Sequence, residues 1–192
     1  TVLAHGTVPE RIETREGTVR FLVDPWHGQK TGAFLDQRPN RLLAGRLMPS
    51  GGVALDAFAY HGSFALHLAE HAARVVAIDS SAEALARGRE HAALNRRANI
   101  EWVEGDVFDK FREFEHRSVR FEMIVLDPPA FAKSRAALGA ARRAYQEINL
   151  RAMRLLAPGG MLLTASCSFH LRRPEFLAML SDAAADSGRR LT

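Results

Sequence analysis

Val53-Ala54-Leu55-Asp56-Ala57-Phe58-Ala59-Tyr60-His61-Gly62-Ser63-Phe64 decides the fold. A short apolar run is followed by a turn around Gly62, and apolar residues then recur at helical spacing through His71. This is the signature of a strand feeding a helix, and the pattern repeats downstream. Arg74–Asp79 reads as a strand, Ala82–Asn95 as a helix and Ile100–Glu104 as a strand. Phe121–Leu126 is a fourth strand, Ala136–Leu156 a long helix, Met161–Ser166 a fifth strand and Pro174–Ser187 a further helix. Strands separated by helices must run parallel, because a helical crossover returns the chain to the same end of the sheet. The expected architecture is α/β, a Rossmann-like doubly wound sheet.

Upstream of Val53 the pattern changes. Thr18–Asp24 alternates as a strand, Pro25 to Gly28 reads as a turn and Thr31–Asp36 resumes extended structure, so residues 1–38 are expected to form a β-hairpin lead-in. Asn40–Met48 carries leucines at helical spacing and stops at Pro49-Ser50-Gly51-Gly52. Residues 39–192 then constitute the main domain. Thr1 is not an initiator methionine, and Arg189-Arg190-Leu191-Thr192 reads as the opening of a strand with no room to continue, so a fragment of a longer protein is expected, incomplete at its C-terminus. No internal repeat or low-complexity tract interrupts the chain.

The composition bounds the function. With 47% hydrophobic and 25% charged residues among 192, the chain is built like a globular domain. No apolar run approaches the ~18–20 residues that cross a bilayer. The first residues lack the basic start and apolar middle of a secretory signal, which makes the cytoplasm the expected location. A single cysteine, Cys167, excludes an internal disulfide framework, so it is either a small buried hydrophobe or a reactive thiol. The net charge of +4 comes mostly from arginine, which permits a nucleic-acid partner without demanding one.

In an open parallel sheet ligands bind beyond the carboxyl ends of the strands, so the residues that follow each strand carry the chemistry. After the first strand, Gly62 allows backbone to approach a ligand at a helix N-terminus, although the turn is not the glycine-rich fingerprint of dinucleotide binders and serves equally as an ordinary strand-to-helix turn. Asp79 lies where an acidic residue grips ribose hydroxyls; alternatively Asp79 or Ser80 is the N-cap of the next helix. Asp106 either accepts a hydrogen bond from an adenine amino group or belongs to a surface turn. Asp127-Pro128-Pro129-Ala130-Phe131 forms a stiff loop, since paired prolines fix φ and remove donors. Ser166-Cys167-Ser168 ends the adjacent strand, so Cys167 and Asp127 are expected to face one cleft. His67 and His71 share helical spacing but lack a third ligand, and a packing or solvated role is expected rather than a metal site.

Taken together these residues carry a resemblance. The sequence resembles the bacterial large-subunit ribosomal RNA cytosine-C5 methyltransferases, class I S-adenosylmethionine enzymes. It does so through Gly28-Gln29-Lys30-Thr31-Gly32, Phe34-Leu35-Asp36-Gln37-Arg38, Phe58 with Gly62-Ser63-Phe64, and Val76-Ala77-Ile78-Asp79-Ser80-Ser81. Further matches are Asp106-Val107-Phe108, Asp127-Pro128-Pro129-Ala130-Phe131, the Tyr145 and Asn149 pair, and Ser166-Cys167-Ser168. The resemblance implies S-adenosyl-L-methionine as cofactor. Its site would comprise Gln37, Arg38, Asp56, Phe58, Tyr60, Gly62, Ser63 and Phe64, with Asp79 and Ser80 at the ribose, Asp106 and Val107 at the adenine, and Asp127 and Pro128 closing the cleft. It also implies an RNA-binding domain before Thr1 and strands after Thr192. The chain departs from the family at Phe169, where glycine is usual, and at His61 and Ser63.

For such an enzyme Cys167 is the only available nucleophile for carbon 6 of cytosine, and Asp127 would stabilise the pyrimidine edge. A related group carries a second cysteine beside the prolines, where this chain has Ala130. The target would be a single-stranded or loop cytosine of ribosomal RNA, since the base must leave its stack. Lys133, Arg135, Arg142 and Arg143 are candidates for phosphate contacts or for a solvated helix face. Two other readings stay open: methylation of a purine nitrogen, for which the Asp-Pro-Pro loop alone suffices, and a non-catalytic module that binds cofactor and RNA. The oligomeric state is open.

Overall fold

The computed structural model describes residues 5–26, 34–131, 138–169 and 171–192. Two strands, β1 (Ile12–Glu16) and β2 (Val19–Val23), precede a 3-10 turn (Leu35–Gln37) and helix α1 (Arg38–Leu47). The chain continues as β3 (Val53–Ala57), α2 (Ser63–Leu68), β4 (Arg74–Asp79), α3 (Ala82–Leu94), β5 (Ile100–Glu104) and α4 (Val107–His116). It continues through β6 (Phe121–Leu126), α5 (Leu138–Leu155), β7 (Leu156–Thr164) and α6 (Arg173–Asp186).

Five strands form a parallel sheet in the order β5-β4-β3-β6-β7. The chain winds outward in one direction from β3 through β4 to β5, then crosses back to β6 and β7. The switch point therefore lies between β3 and β6, where crossover helices on opposite faces leave a crevice at the strand ends. Alternation along the strands supplies two cores. Leu55, Val76, Ile78, Ile124 and Leu126 face α4 and α5, packing on Phe111, Ile148 and Ala152. Ala54, Val75, Ala77, Met123 and Val125 face the other way, onto Ala44, Phe64, Ala65 and Leu68 of α1 and α2. Strands buried on both faces read as unbroken apolar runs, which is why β4 and β6 carry almost no polar residue.

A hairpin does form in the lead-in, between β1 and β2. β2 pairs antiparallel with β1, Glu16 opposite Val19, across the two-residue turn Gly17-Thr18, and Gly17 takes the left-handed φ of 60° that such tight turns favour. Of the segment expected to resume extended structure, Thr31–Ala33 lie outside the described residues, as do Gly28-Gln29-Lys30, while Leu35–Gln37 coil into a 3-10 turn. Val19 and Phe21 pack on Leu66 and Ala92, tying the hairpin to α2 and α3.

Other boundaries also move. The helix after the Gly62 turn ends at Leu68 rather than His71, and the last strand begins at Leu156, with an irregularity opposite Phe121 and Met123 before regular pairing from Met161 to Thr164. No strand is formed by Arg189–Thr192. Helix α4 has no counterpart in the sequence reading, although Phe111 and Phe114 lie three apart on one face and Asp106 caps it. Among the described residues, no helix is long and apolar enough to cross a membrane.

Candidate functional site

Four of the five strands of the parallel sheet deliver a carboxylate to the same edge. Asp56 lies next to last in β3, Asp79 ends β4, Asp106 follows β5 and Asp127 follows β6. The turn after β3 is wound unusually tightly. Phe58, Tyr60 and Gly62 all adopt left-handed φ, at 65°, 52° and 76°. For the two non-glycine residues this costs on the order of 1 kcal/mol or more each, so something must hold them. Asp79 does so, accepting the Tyr60 amide at Oδ2 over 2.7 Å, while the Ala59 amide reaches the Ile78 carbonyl at 2.8 Å. Gly62 is required on steric grounds as well, since a Cβ there would sit 2.3 Å from the Trp102 ring.

Asp56 is 1% exposed and its Oδ2 accepts the Ala65 amide at 2.8 Å. Burial, with a smaller contribution from the neighbouring Asp127 and Asp79 charges, raises its pKa to about 8. The acidic side chains at the strand tips thus converge on a place that a cation would match. S-adenosylmethionine carries an ammonium and a sulfonium, so the donor set fits that cofactor's methionine end. Asp79 Oδ1 accepts the Ser81 amide at 2.9 Å, yet each carboxylate oxygen retains a further lone pair for a ribose hydroxyl. The helix cap assigned to Asp79 or Ser80 belongs instead to Ser81, whose Oγ accepts the Ala84 amide at 3.1 Å; Ser80 is exposed. Asp106 is no mere surface turn: Oδ1 accepts the Phe108 and Asp109 amides and caps α4. Val107 and Phe64 point into the two cores, which leaves only their backbone for a ligand.

The two departures in the first turn explain each other. Ser63 Oγ lies 3.1 Å from His61 Nδ1, and the His61 ring lies 4.4 Å from that of Tyr60, tilted by 50°. Burial, then the neighbouring His91, holds the His61 pKa at about 3, so the ring packs as a neutral group. His67 is likewise structural. Its Nε2 lies 3.0 Å from Glu16, a residue that the sequence reading did not single out, and His71 is exposed.

The nucleophile candidate and the Asp127 loop do share the crevice. Cys167 is exposed, and its thiol donates to the Pro128 carbonyl over 3.6 Å. Gln37 Nε2 donates to Asp127 Oδ1 at 3.0 Å and is itself oriented by Asn40, which donates to Gln37 Oε1 at 2.6 Å. Gln37 therefore reaches the site through Asp127, and Arg38, at the start of α1, is exposed. Aromatic rings link the loops: Phe131 stands 6.3 Å from Phe58, 6.2 Å from Phe108 and 4.6 Å from Tyr145. Phe169 is 93% exposed. Of the basic residues considered for phosphate contacts, Lys133 and Arg135 lie outside the described residues, and Arg142 and Arg143 are exposed on α5.

A doubly wound sheet with an acidic crevice and a glycine turn at its switch point is the architecture of the class I methyltransferases. The chain belongs to the S-adenosylmethionine-dependent methyltransferase family, whose model matches residues 4–188. It is 42% identical to ribosomal RNA large subunit methyltransferase I of Aeromonas salmonicida, covering 98% of this chain and 48% of that protein. The corresponding protein of Shewanella amazonensis is 41% identical, with 98% and 48% coverage. The chain thus spans about half the length of these curated relatives. The fold is shared with a SAM-dependent methyltransferase from Agrobacterium tumefaciens (TM-score 0.82, 18% identity, 95% of this chain and 61% of that one). It is shared too with a protein assigned as a methyltransferase and complexed with SAH (TM-score 0.82, 22% identity, 99% and 50%).

Proposed function

We propose that the chain is the catalytic domain of an enzyme that methylates carbon 5 of a cytosine in large-subunit ribosomal RNA, using the Cys167 thiolate as nucleophile. The observation that carries this reading is the exposed thiol 3.6 Å from the Pro128 carbonyl, in the crevice that Asp127 also enters. The relatives' name supplies the RNA.

Carbon 5 of cytosine is a poor nucleophile. Addition of the thiolate to carbon 6 forms a carbon–sulfur bond and moves the ring's π electrons toward carbon 5, which becomes enamine-like. Asp127, held by Gln37, donates to or accepts from the N3 and exocyclic amine edge and stabilises the charge that builds there. S-adenosylmethionine supplies an electrophilic methyl group when bound. Loss of the carbon 5 proton then lets the electrons return, the ring double bond re-forms and the Cys167 thiolate leaves. Asp56, Asp79 and Asp106 bind the methionine, ribose and adenine portions of the cofactor. Because the base must be unstacked to reach the sheet edge, a single-stranded or looped target is favoured.

Incubation with labelled S-adenosylmethionine and undermethylated ribosomal RNA, followed by digestion to nucleosides, tests the reading. Label in 5-methylcytidine that disappears in Cys167→Ala is the expected result. Label on a purine, or transfer that survives loss of the thiol, would replace it with nitrogen methylation.

A further inference from the structure

The loops after β6 and β7 meet at one buried side chain outside the reacting set. Tyr145, on α5, is 0% exposed, and its hydroxyl lies 3.0 Å from Ser168 Oγ, itself 4% exposed. Ser168 sits between the exposed Cys167 and the exposed Phe169, so it is the inward-facing member of that tripeptide. The opposite contact of Tyr145 is with Phe131, three residues beyond the Pro128 carbonyl that accepts the Cys167 thiol. Phe176 of α6 meets the tyrosine ring edge-on at 6.0 Å, and Asn149 donates to the Tyr145 carbonyl at 2.8 Å. The ring is thus held by packing from Phe131 and Phe176, and the helix beneath it by a side-chain bond.

We propose that Tyr145 is a positioning residue for Cys167, fixing the thiol through Ser168 on one side and, through Phe131, the Pro128 carbonyl that receives it on the other. The proposal rests on the reading of Cys167 as the nucleophile. Packing alone asks only for a phenylalanine, which fills the same space. The hydroxyl adds one buried hydrogen bond, and it places that bond beside the residue whose orientation decides whether a reacting atom lies within attack distance. Displacements of about 1 Å at such a centre cost on the order of 100-fold in rate, so a single hydrogen bond matters greatly here.

Tyr145→Phe, Ser168→Ala and the double variant test this. Because Cys167 is the only cysteine, iodoacetamide reports on it alone. Both single variants are expected to fold and to bind S-adenosylmethionine as the wild type does. Each should change the pH profile of Cys167 alkylation and lower kcat for RNA methylation by about tenfold or more with cofactor KM unchanged. The double variant should be no worse than either single one, since both changes remove the same bond. Wild-type alkylation profiles in the single variants, or additive losses in the double, would overturn the proposal. If Tyr145→Phe does not fold, Ser168→Ala alone carries the comparison. Methylation that survives Cys167→Ala would instead sink the nucleophile reading, and the alkylation profiles would still judge Tyr145.

Discussion

Arg41 grips Glu16 through two hydrogen bonds, 2.7 and 2.6 Å, and both side chains are buried between the hairpin, α1 and α2. Burial alone would raise the Glu16 pKa, but the bonds from Arg41 and His67 outweigh it and hold the carboxyl at about 2. Removing one member of a buried pair strands the other charge, at a cost of about 3–5 kcal/mol. Glu16→Ala is therefore expected to lower stability by that order in urea denaturation.

The same pair predicts an acid limb. A carboxyl whose folded pKa is depressed contributes stability that is complete above its ordinary value of 4.5 and is lost as pH falls toward about 2. Between those limits the wild type should lose stability steadily. A Glu16→Gln variant should show a flatter profile over that window in thermal melts; identical slopes would contradict the assignment.

Asp56 behaves in the opposite sense. Its folded pKa is raised to about 8 from 3.8, so its contribution to stability is present at low pH and is lost as pH rises through about 8. Near neutral pH the carboxyl is mostly protonated in the free protein. A cationic ligand beside it favours the ionised form, so S-adenosylmethionine binding should release up to about one proton per site. Calorimetric heats measured in buffers of different ionisation enthalpy check this. Asp56→Asn should abolish the buffer dependence.

Ser81, not Ser80, caps α3. Ser81→Ala is expected to cost about 1 kcal/mol, whereas the exposed Ser80→Ala should change stability by less than about 0.5 kcal/mol. Paired denaturation curves decide the matter.

Much of this was legible beforehand, for identifiable reasons. β3, β4 and β6 are legible because strands buried on both faces carry largely apolar runs, the edge strand β5 because Ile100, Trp102 and Val103 follow the helix of α3, and the residues after all four had to meet at one edge. Cys167 and Asp127 meet because β7 pairs with β6. Local spacing could not supply the rest. Helix α4 was hidden because its polar residues outnumber the few that reach the core, although the capping aspartate and the Phe111, Phe114 spacing were available signals. β1, which pairs with β2, is not legible because Ile12–Glu16 is mostly polar and exposed except at Glu16, so no apolar alternation marks it. Glu16, Arg41 and His67 are far apart in sequence, and a buried ion pair between distant elements leaves no periodic trace. Tyr145 stands in a motif visible in the sequence, but its contact with Ser168 depends on how α5 crosses the sheet.

Trp102, on β5, presses its ring against both Gly62 and Gly88; a Cβ on either glycine would fall within 2.4 Å of it. The chain has only one other tryptophan, Trp26, beyond the end of β2. The molecule therefore carries a native fluorophore seated under the turn between β3 and α2. Its emission, read after Trp26→Phe, becomes an optical gauge of that turn, with no label attached to the protein.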